Sequence, residues 1–198
     1  MMFSSSKFLT LTLTLIGCVA ASPVELHKRA QNVVIGYRTV SPAQAKKYNG
    51  AGTLTDDPNR IGTQIGKGVY TTPGRGEWQG SPSDWFCVIL ADSGAISRVS
   101  KAWVPKQYDG SELWFKSDTV IDGYIKQLES SWDPAVTLRM SIIDGMGYND
   151  VQLVIPPGLL NSNGGGMGIT ASCKENINDI PNQRVNYDDW NDNIKGSR

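Results

Sequence analysis

The sequence predicts an α+β domain in which short helices surround mostly antiparallel strands. Seven short runs rich in β-branched and aromatic residues have the character of strands, and two segments have the capping or periodicity of helices. The 21 glycines of the 198-residue chain separate these runs and indicate many turns. No internal repeat and no low-complexity linker interrupts the pattern, which is that of a single compact domain.

Strands are predicted wherever four to nine residues combine β-branched or aromatic side chains with flanking turn residues. The predicted strands are residues 33–39, 68–72, 85–91, 95–103, 137–143, 150–155 and 168–173.

Helices are predicted at two places. Ser41 is a typical N-cap, Pro42 suits the first helical position, and Asn49-Gly50 is expected to end this helix. A second helix over 118–130 has one apolar face, formed by Val120, Ile121, Tyr124, Ile125 and Leu128. Residues 176–198 are rich in Asn and Asp and are expected to form an irregular C-terminal tail.

The beginning of the chain has the features of a secretory signal. Lys7 precedes an apolar run that ends in small residues, so residues 1–21 are predicted to be a signal peptide. Residues 22–29 end in Lys28-Arg29 and resemble a propeptide with a dibasic cleavage site. We therefore expect a secreted, extracellular protein whose folded domain spans 30–175.

This processing would remove His27, the only histidine of the chain. A mature protein without histidine cannot use Ser-His-Asp or Cys-His catalysis, and histidine zinc sites are excluded. No metal is therefore expected. Any chemistry has to come from carboxylates, Arg, Lys, Tyr, Ser, Thr or backbone groups.

The cysteines indicate an oxidising environment, and the net charge excludes some classes of binding partner. Cys18 lies in the signal peptide, and we predict that Cys87 and Cys173 form a disulfide, the alternative being two buried free thiols. Residues 30–198 carry 16 basic and 18 acidic side chains, a net charge of about −2. That balance favours neither nucleic acid nor an anionic membrane surface as a partner. No second apolar run is long enough to span a bilayer, and a monomer is expected.

The order of motifs carries more information than any one of them. A strand ends in Tyr37-Arg38, a short helix follows, and a glycine-rich turn at Gly66-Lys67-Gly68 leads into Val69-Tyr70-Thr71-Thr72. This order resembles the ADP-ribosyltransferases, a family that includes poly-ADP-ribose polymerases and secreted bacterial and fungal toxins. In that family the first strand carries His or Arg, the second motif carries Tyr or Ser/Thr, and a late strand carries Glu.

The late strand of this chain departs from the family pattern. Residues 144–150 resemble the family's substrate-recognition loop, and the strand that follows runs into Pro156-Pro157-Gly158. In that register the glutamate position holds Gln152. Asp150 lies two residues earlier, which strand alternation places on the same face.

The resemblance implies an ADP-ribosyltransferase-like fold and NAD as the substrate. Arg38, Asp150 and Gln152 would then be the catalytic residues. The residues expected to bind NAD are Tyr37, Arg38, Gly68, Tyr70, Thr71 and Thr72. The nicotinamide–ribose bond breaks with an oxocarbenium-like transition state, which a carboxylate stabilises. Because Gln152 has no charge, Asp150 or Glu77 would have to supply that carboxylate.

These patterns leave three functions open. The first is a secreted toxin or effector that transfers ADP-ribose to a protein, for instance of a host, or hydrolyses NAD. The second is a catalytically inactive effector that uses the same fold for binding. The third is a secreted carbohydrate-binding module, suggested by six tryptophans that show no regular spacing.

Overall fold

The computed structural model describes residues 31–56, 63–160 and 166–198. The predicted signal peptide, the propeptide with Lys28-Arg29, and Gly62 lie outside these residues. The described residues form an α+β fold of mostly antiparallel strands with few short helices, as the sequence predicted.

One sheet has three antiparallel strands. β1 (Asn32–Val40) lies at one edge, β3 (Trp85–Asp92) in the centre and β9 (Thr170–Lys174) at the other edge. The β3–β9 register sets Cys87 directly opposite Cys173, and the two residues form the predicted disulfide. This bond joins positions 86 residues apart in the chain.

The second sheet has five strands in the order β10-β4-β7-β8-β2. These are β2 (Val69–Thr71), β4 (Lys101–Trp103), β7 (Leu138–Ile142), β8 (Val151–Ile155) and β10 (Ile194–Lys195). The pairs β7–β8 and β8–β2 are antiparallel, whereas β10–β4 and β4–β7 are parallel. A small hairpin of β5 (Gln107–Tyr108) and β6 (Ser111–Glu112) stands apart from both sheets.

Six of the seven predicted strands are confirmed to within two residues at each end. The prediction of one strand over 95–103 was wrong. This segment begins as α2 (Ser93–Arg98) and forms only the three-residue β4 after it. The Asp92 carboxylate accepts a 2.7 Å hydrogen bond from the Ala95 N–H and so caps the helix. The Lys101 ammonium donates to the carbonyls of Ile96, in the last turn of this helix, and of Val99, its C-cap.

The other two helices follow their sequence signals with small differences. α1 (Pro42–Ala51) has the Ser41 hydroxyl as its cap but continues through Asn49-Gly50 and ends at Gly52, which has φ of 66°. α3 (Asp118–Leu128) buries Ile121, Tyr124 and Ile125, as expected, whereas Val120 is exposed. The position of Gly52 in the left-handed region explains why the first helix ends there.

The core has two main parts. The larger lies among the two sheets, α1 and the end of the chain, and the smaller lies between the five-stranded sheet and α3. Residues 176–198 are largely irregular but belong to this core: Tyr187 is fully buried, its ring contacts Trp190, and β10 extends the sheet beside β4. Within the described ranges no helix is long and apolar enough to cross a membrane.

Candidate functional site

The two sheets meet where β1 passes β2. Tyr37 and Thr72 form an isolated antiparallel bridge there, with N–H to carbonyl distances of 2.8 and 2.9 Å. A cavity of about 340 Å³ opens beside this bridge. It is lined by Tyr37, Arg38, Thr39, Thr63, Gln64, Tyr70, Thr71, Thr72, Trp78, Phe115, Ile143, Asp144 and Gln152. Six of the predicted site residues are therefore in one cavity, and two, Gly68 and Asp150, are not.

Arg38 and Tyr37 enter the site from β1 in different ways. The Arg38 guanidinium donates a 3.2 Å hydrogen bond to the Tyr70 carbonyl and so joins the cavity walls formed by β1 and β2. The Tyr37 side chain is buried beside Val88 and Ile180, and its hydroxyl donates to the carbonyl of Gln183 and accepts from its N–H. The alternation of side chains along β1 accounts for this difference.

Tyr70 closes the glycine-rich turn against the start of β2. Its hydroxyl accepts a 2.9 Å bond from the Ile65 N–H and donates a 2.8 Å bond to the Gly66 carbonyl. A side chain at Gly66 would overlap the Arg139 guanidinium, and one at Gly68 would overlap the Ile155 carbonyl. The glycines are therefore required by close packing of the turn against β7 and β8, and Gly68 does not reach the cavity.

Arg139 supports the turn from beneath. Its guanidinium is buried and donates to the carbonyls of Ile65 and Pro134 and to the Asp122 carboxylate, the last at 3.0 Å. Burial lowers the pKa of Arg139, and burial also raises the pKa of Asp122 although the two groups attract each other. Sequence analysis missed this pair because its members lie on separate elements.

Thr71 and Thr72 are buried in the wall of the cavity. The Thr71 hydroxyl donates to the Leu153 carbonyl at 3.3 Å, and the Thr72 hydroxyl donates to the Gly74 carbonyl at 3.1 Å. Both hydroxyl groups therefore brace the backbone around β2.

A buried amide network forms the cavity floor. Gln152 Nε2 donates to Gln64 Oε1 at 2.8 Å and to the Ser141 hydroxyl, its cross-strand neighbour, at 3.0 Å. Gln64 Nε2 in turn donates to the Ile142 carbonyl at 2.8 Å. Gln64 Oε1 also accepts a 2.9 Å bond from the Asp144 N–H. The residue at the expected glutamate position is thus held through its amide nitrogen, which donates both bonds.

The carboxylates of the site are not where the sequence suggested. Asp150 is exposed, and its Oδ2 accepts a 2.9 Å bond from the Gly147 N–H, which closes the turn before β8. Glu77 accepts from the Gly74 N–H and forms an ion pair with Arg184. Asp144, which is also exposed, is instead the acidic residue in the lining of the cavity. Its position just after the buried β7 is the sequence signal that could have identified it.

Two exposed aromatic residues complete the site, and sequence analysis assigned neither to the cavity. Trp78 comes from the loop after β2, and Phe115 from the segment before α3. Among the residues that the structure covers, no cluster of three or more His, Cys, Asp or Glu could hold a metal ion.

A protein-family model matches most of the residues that the structure describes. The model of a family of unknown function, DUF5910, matches residues 63–197. The chain belongs to the DUF5910 family. The match contains every cavity residue from Thr63 onward, whereas Tyr37, Arg38 and Thr39 precede it. A search of curated proteins finds no match to this DUF5910 chain.

Proposed function

We propose that this DUF5910 protein is a secreted NAD-binding protein of the ADP-ribosyltransferase type, which transfers ADP-ribose to a protein or hydrolyses NAD. The observation that carries the proposal is the common cavity of Arg38, Tyr70, Thr71, Thr72 and Gln152 at the junction of the two sheets. These residues come from three strands that are far apart in sequence. Their meeting in one concave site supports a shared ligand.

The proposed ligand position follows from the chemistry of the lining. The Arg38 guanidinium suits the diphosphate because its planar fork of donors matches phosphate oxygens. The Tyr70 ring, positioned by the bonds of its hydroxyl, stacks on the nicotinamide ring. The Gln152 amide faces the nicotinamide ribose from the floor. The buried threonines hold the backbone around it.

Asp144 is the residue that we assign to the chemical step. The bond between ribose C1′ and the nicotinamide nitrogen breaks, and both electrons leave with neutral nicotinamide. The Asp144 carboxylate stabilises the positive charge that develops on the sugar. Water or an acceptor hydroxyl then forms the new C1′–O bond and gives its proton to Asp144.

A second candidate, binding of NAD without turnover, is favoured by the amide network. The group fixed at the cavity floor is the uncharged Gln152, whose Nε2 is committed to Gln64 and Ser141. The carbohydrate-binding candidate has less support. Trp78 is exposed, but the other five tryptophans are buried or half-buried, so they form no flat aromatic platform.

Titration calorimetry with NAD, followed by a nicotinamide-release assay, tests the proposal. Wild type should bind NAD, and Arg38→Ala should weaken that binding at least tenfold. Asp144→Asn should lower nicotinamide release by about 10²–10³-fold. Asp150→Asn, the matched control, should leave it unchanged. Absence of heat at millimolar NAD would refute the nicotinamide site, and NAD binding with no release by wild type would support the silent binder.

Secretion and processing are part of the same proposal and need a separate test. Expression of the full chain in a secreting fungal host should yield extracellular protein. Its N-terminal sequence should begin at Ala30 if Lys28-Arg29 is cleaved. Retention in the cell would contradict this part.

A further inference from the structure

The mouth of the cavity carries two large aromatic side chains that are half exposed. Trp78 has 51% of its surface accessible to solvent and Phe115 has 56%. Both residues line the same concave site. Exposed aromatic side chains that share a cavity, unlike scattered surface residues, are typical of ligand contacts.

Phe115 adopts a backbone conformation that its side chain disfavours. Its φ is 60°, in the left-handed region that bulky residues rarely occupy. Its N–H donates a 2.7 Å bond to the carbonyl of Gln64, the residue that also orders the cavity floor. Backbone strain of this kind is frequent at ligand-binding sites, and Phe115 lines the cavity.

Trp78 lies in a loop whose backbone is held by several hydrogen bonds and an ion pair. The Thr39 hydroxyl donates a 2.9 Å bond to the Trp78 carbonyl. The neighbouring Glu77 closes the loop through the Gly74 N–H and an ion pair with Arg184. The indole is therefore exposed on an anchored backbone.

The size of the cavity indicates which part of the ligand reaches these rings. A volume of about 340 Å³ lies at the lower end of the range for small-ligand sites, and a dinucleotide is a large ligand. If the nicotinamide ribose occupies the floor near Gln152, the other end of the dinucleotide has to lie at the mouth. That end is a purine, whose flat face stacks well on aromatic rings.

We infer that Trp78 and Phe115 form an adenine-binding aromatic rim that gives the cavity its preference for a dinucleotide over a mononucleotide. This inference rests on the proposed function, because it takes the nicotinamide end to be the buried one. The Arg38 guanidinium, which lines the same cavity, then binds the diphosphate that joins the two nucleosides.

Affinity measurements with fragments of the dinucleotide test the rim. The ligands are NAD, ADP-ribose, which keeps adenine, nicotinamide mononucleotide, which lacks it, and adenosine monophosphate. Trp78→Ala and Phe115→Ala should each weaken the binding of NAD and of ADP-ribose by roughly 5- to 30-fold, the usual effect of losing the stacking of one base. Binding of nicotinamide mononucleotide should change less than twofold.

Conservative and distant variants serve as controls. Trp78→Phe and Phe115→Tyr should keep most of the affinity because each keeps an aromatic face. Tyr108→Ala removes an exposed aromatic residue outside the cavity and should have no effect. Quenching of tryptophan fluorescence by adenosine monophosphate should disappear in Trp78→Ala, and unchanged thermal unfolding would exclude a folding defect.

The outcomes separate this inference from the proposed function. If the alanine variants lose affinity equally for NAD and for nicotinamide mononucleotide, the rim is not an adenine site. Unchanged NAD affinity in both alanine variants would also overturn it. Trp78-dependent binding of adenosine monophosphate, with no binding of nicotinamide mononucleotide, would support the rim and refute the nicotinamide site. If wild type binds an oligosaccharide but none of the four ligands, both proposals are wrong.

Discussion

The side chain of Gln152 donates a 2.8 Å hydrogen bond to Oε1 of Gln64 in the floor of the cavity. That acceptor is shared with the Asp144 N–H, so the same oxygen orders the start of the loop that carries the candidate carboxylate. Gln152 Nε2 also donates to the Ser141 hydroxyl. A residue at position 152 therefore has to donate a hydrogen bond to Gln64 Oε1 to keep this arrangement.

The first prediction concerns Gln152→Glu. A carboxylate at this position would face Gln64 Oε1 with no proton to donate, so two buried oxygens that both accept hydrogen bonds would lie against each other. We expect a loss of about 1–3 kcal/mol in the free energy of unfolding at pH 7, measured in urea. The loss should shrink toward pH 4, because a protonated glutamic acid can donate again.

Gln127→Glu provides the control for that experiment, since it makes the same chemical change on the exposed side of α3 and should be nearly neutral. If Gln152→Glu is as stable as wild type and releases nicotinamide while wild type releases none, the floor accepts a carboxylate. The natural protein is then better described as a silent binder.

The second prediction concerns the backbone strain at Phe115. Phe115→Ala keeps a side chain in the left-handed region, whereas Phe115→Gly removes the steric cost of about 1–2 kcal/mol. We expect the glycine variant to be more stable than the alanine variant by about 1 kcal/mol in urea unfolding. Glycine is the less stable of the two at ordinary positions, so the opposite order would show that Phe115 is unstrained.

The third prediction concerns Lys101, which is buried between two backbone carbonyls. Burial lowers its pKa from 10.5 to about 8, while Asp192 acts in the opposite direction. Above pH 8 the unfolded chain therefore binds more protons than the folded one, and stability rises with pH. Between pH 8 and pH 10.5 the free energy of unfolding should increase by on the order of 3 kcal/mol.

The measurement compares the free energy of unfolding at pH 7 and at pH 9.5 for wild type and Lys101→Met. Lys101→Met should lose the increase in the free energy of unfolding with pH. Lys47→Met, which changes an exposed residue of α1, should keep this increase. The comparison stops at pH 9.5 because burial raises the pKa of Tyr124 to about 12, so this tyrosine reduces stability above pH 10. A flat wild-type profile between pH 7 and 9.5 would contradict the assignment.

The fourth prediction concerns the bond between Cys87 and Cys173. Closing 86 residues is worth about 4–5 kcal/mol in the chain-entropy model, as an upper value. Wild type treated with reductant and the Cys87→Ala/Cys173→Ala variant should both lose stability of this order. The oxidised protein should show no free thiol from these two residues in a thiol assay. Equal stability with and without reductant would show that the bond contributes nothing.

Local sequence signals predicted most of the strands and both longer helices, because these depend on neighbours along the chain. The amphipathic pattern of Ile121, Tyr124 and Ile125 placed α3 correctly. The segment after Asp92 was misassigned. There two contacts favour a helix over a strand. The Asp92 carboxylate caps the start of the helix, and the Lys101 ammonium donates to a carbonyl of its last turn.

The structure shows which of the predicted site residues lie together, and their roles stay predictions. Arg38, Tyr70, Thr71 and Thr72 lie in one cavity, as the order of motifs suggested. Asp150 does not, because a turn bond to Gly147 holds its carboxylate outside, and Asp144 occupies the lining instead. Which of two acidic residues in one loop lines the cavity depends on loop geometry, and spacing in the sequence does not contain that information.

The sequence by itself determined the fold class, the disulfide partners and the elements that surround the cavity, since strand and helix signals act over a few residues. Only the tertiary structure decided the roles of the glycines and the glutamines. Gly66 leaves space for Arg139, and Gln152 is committed to Gln64, in both cases across more than 70 positions of the chain. Such contacts depend on which strands become neighbours, and that is set by packing of the whole chain.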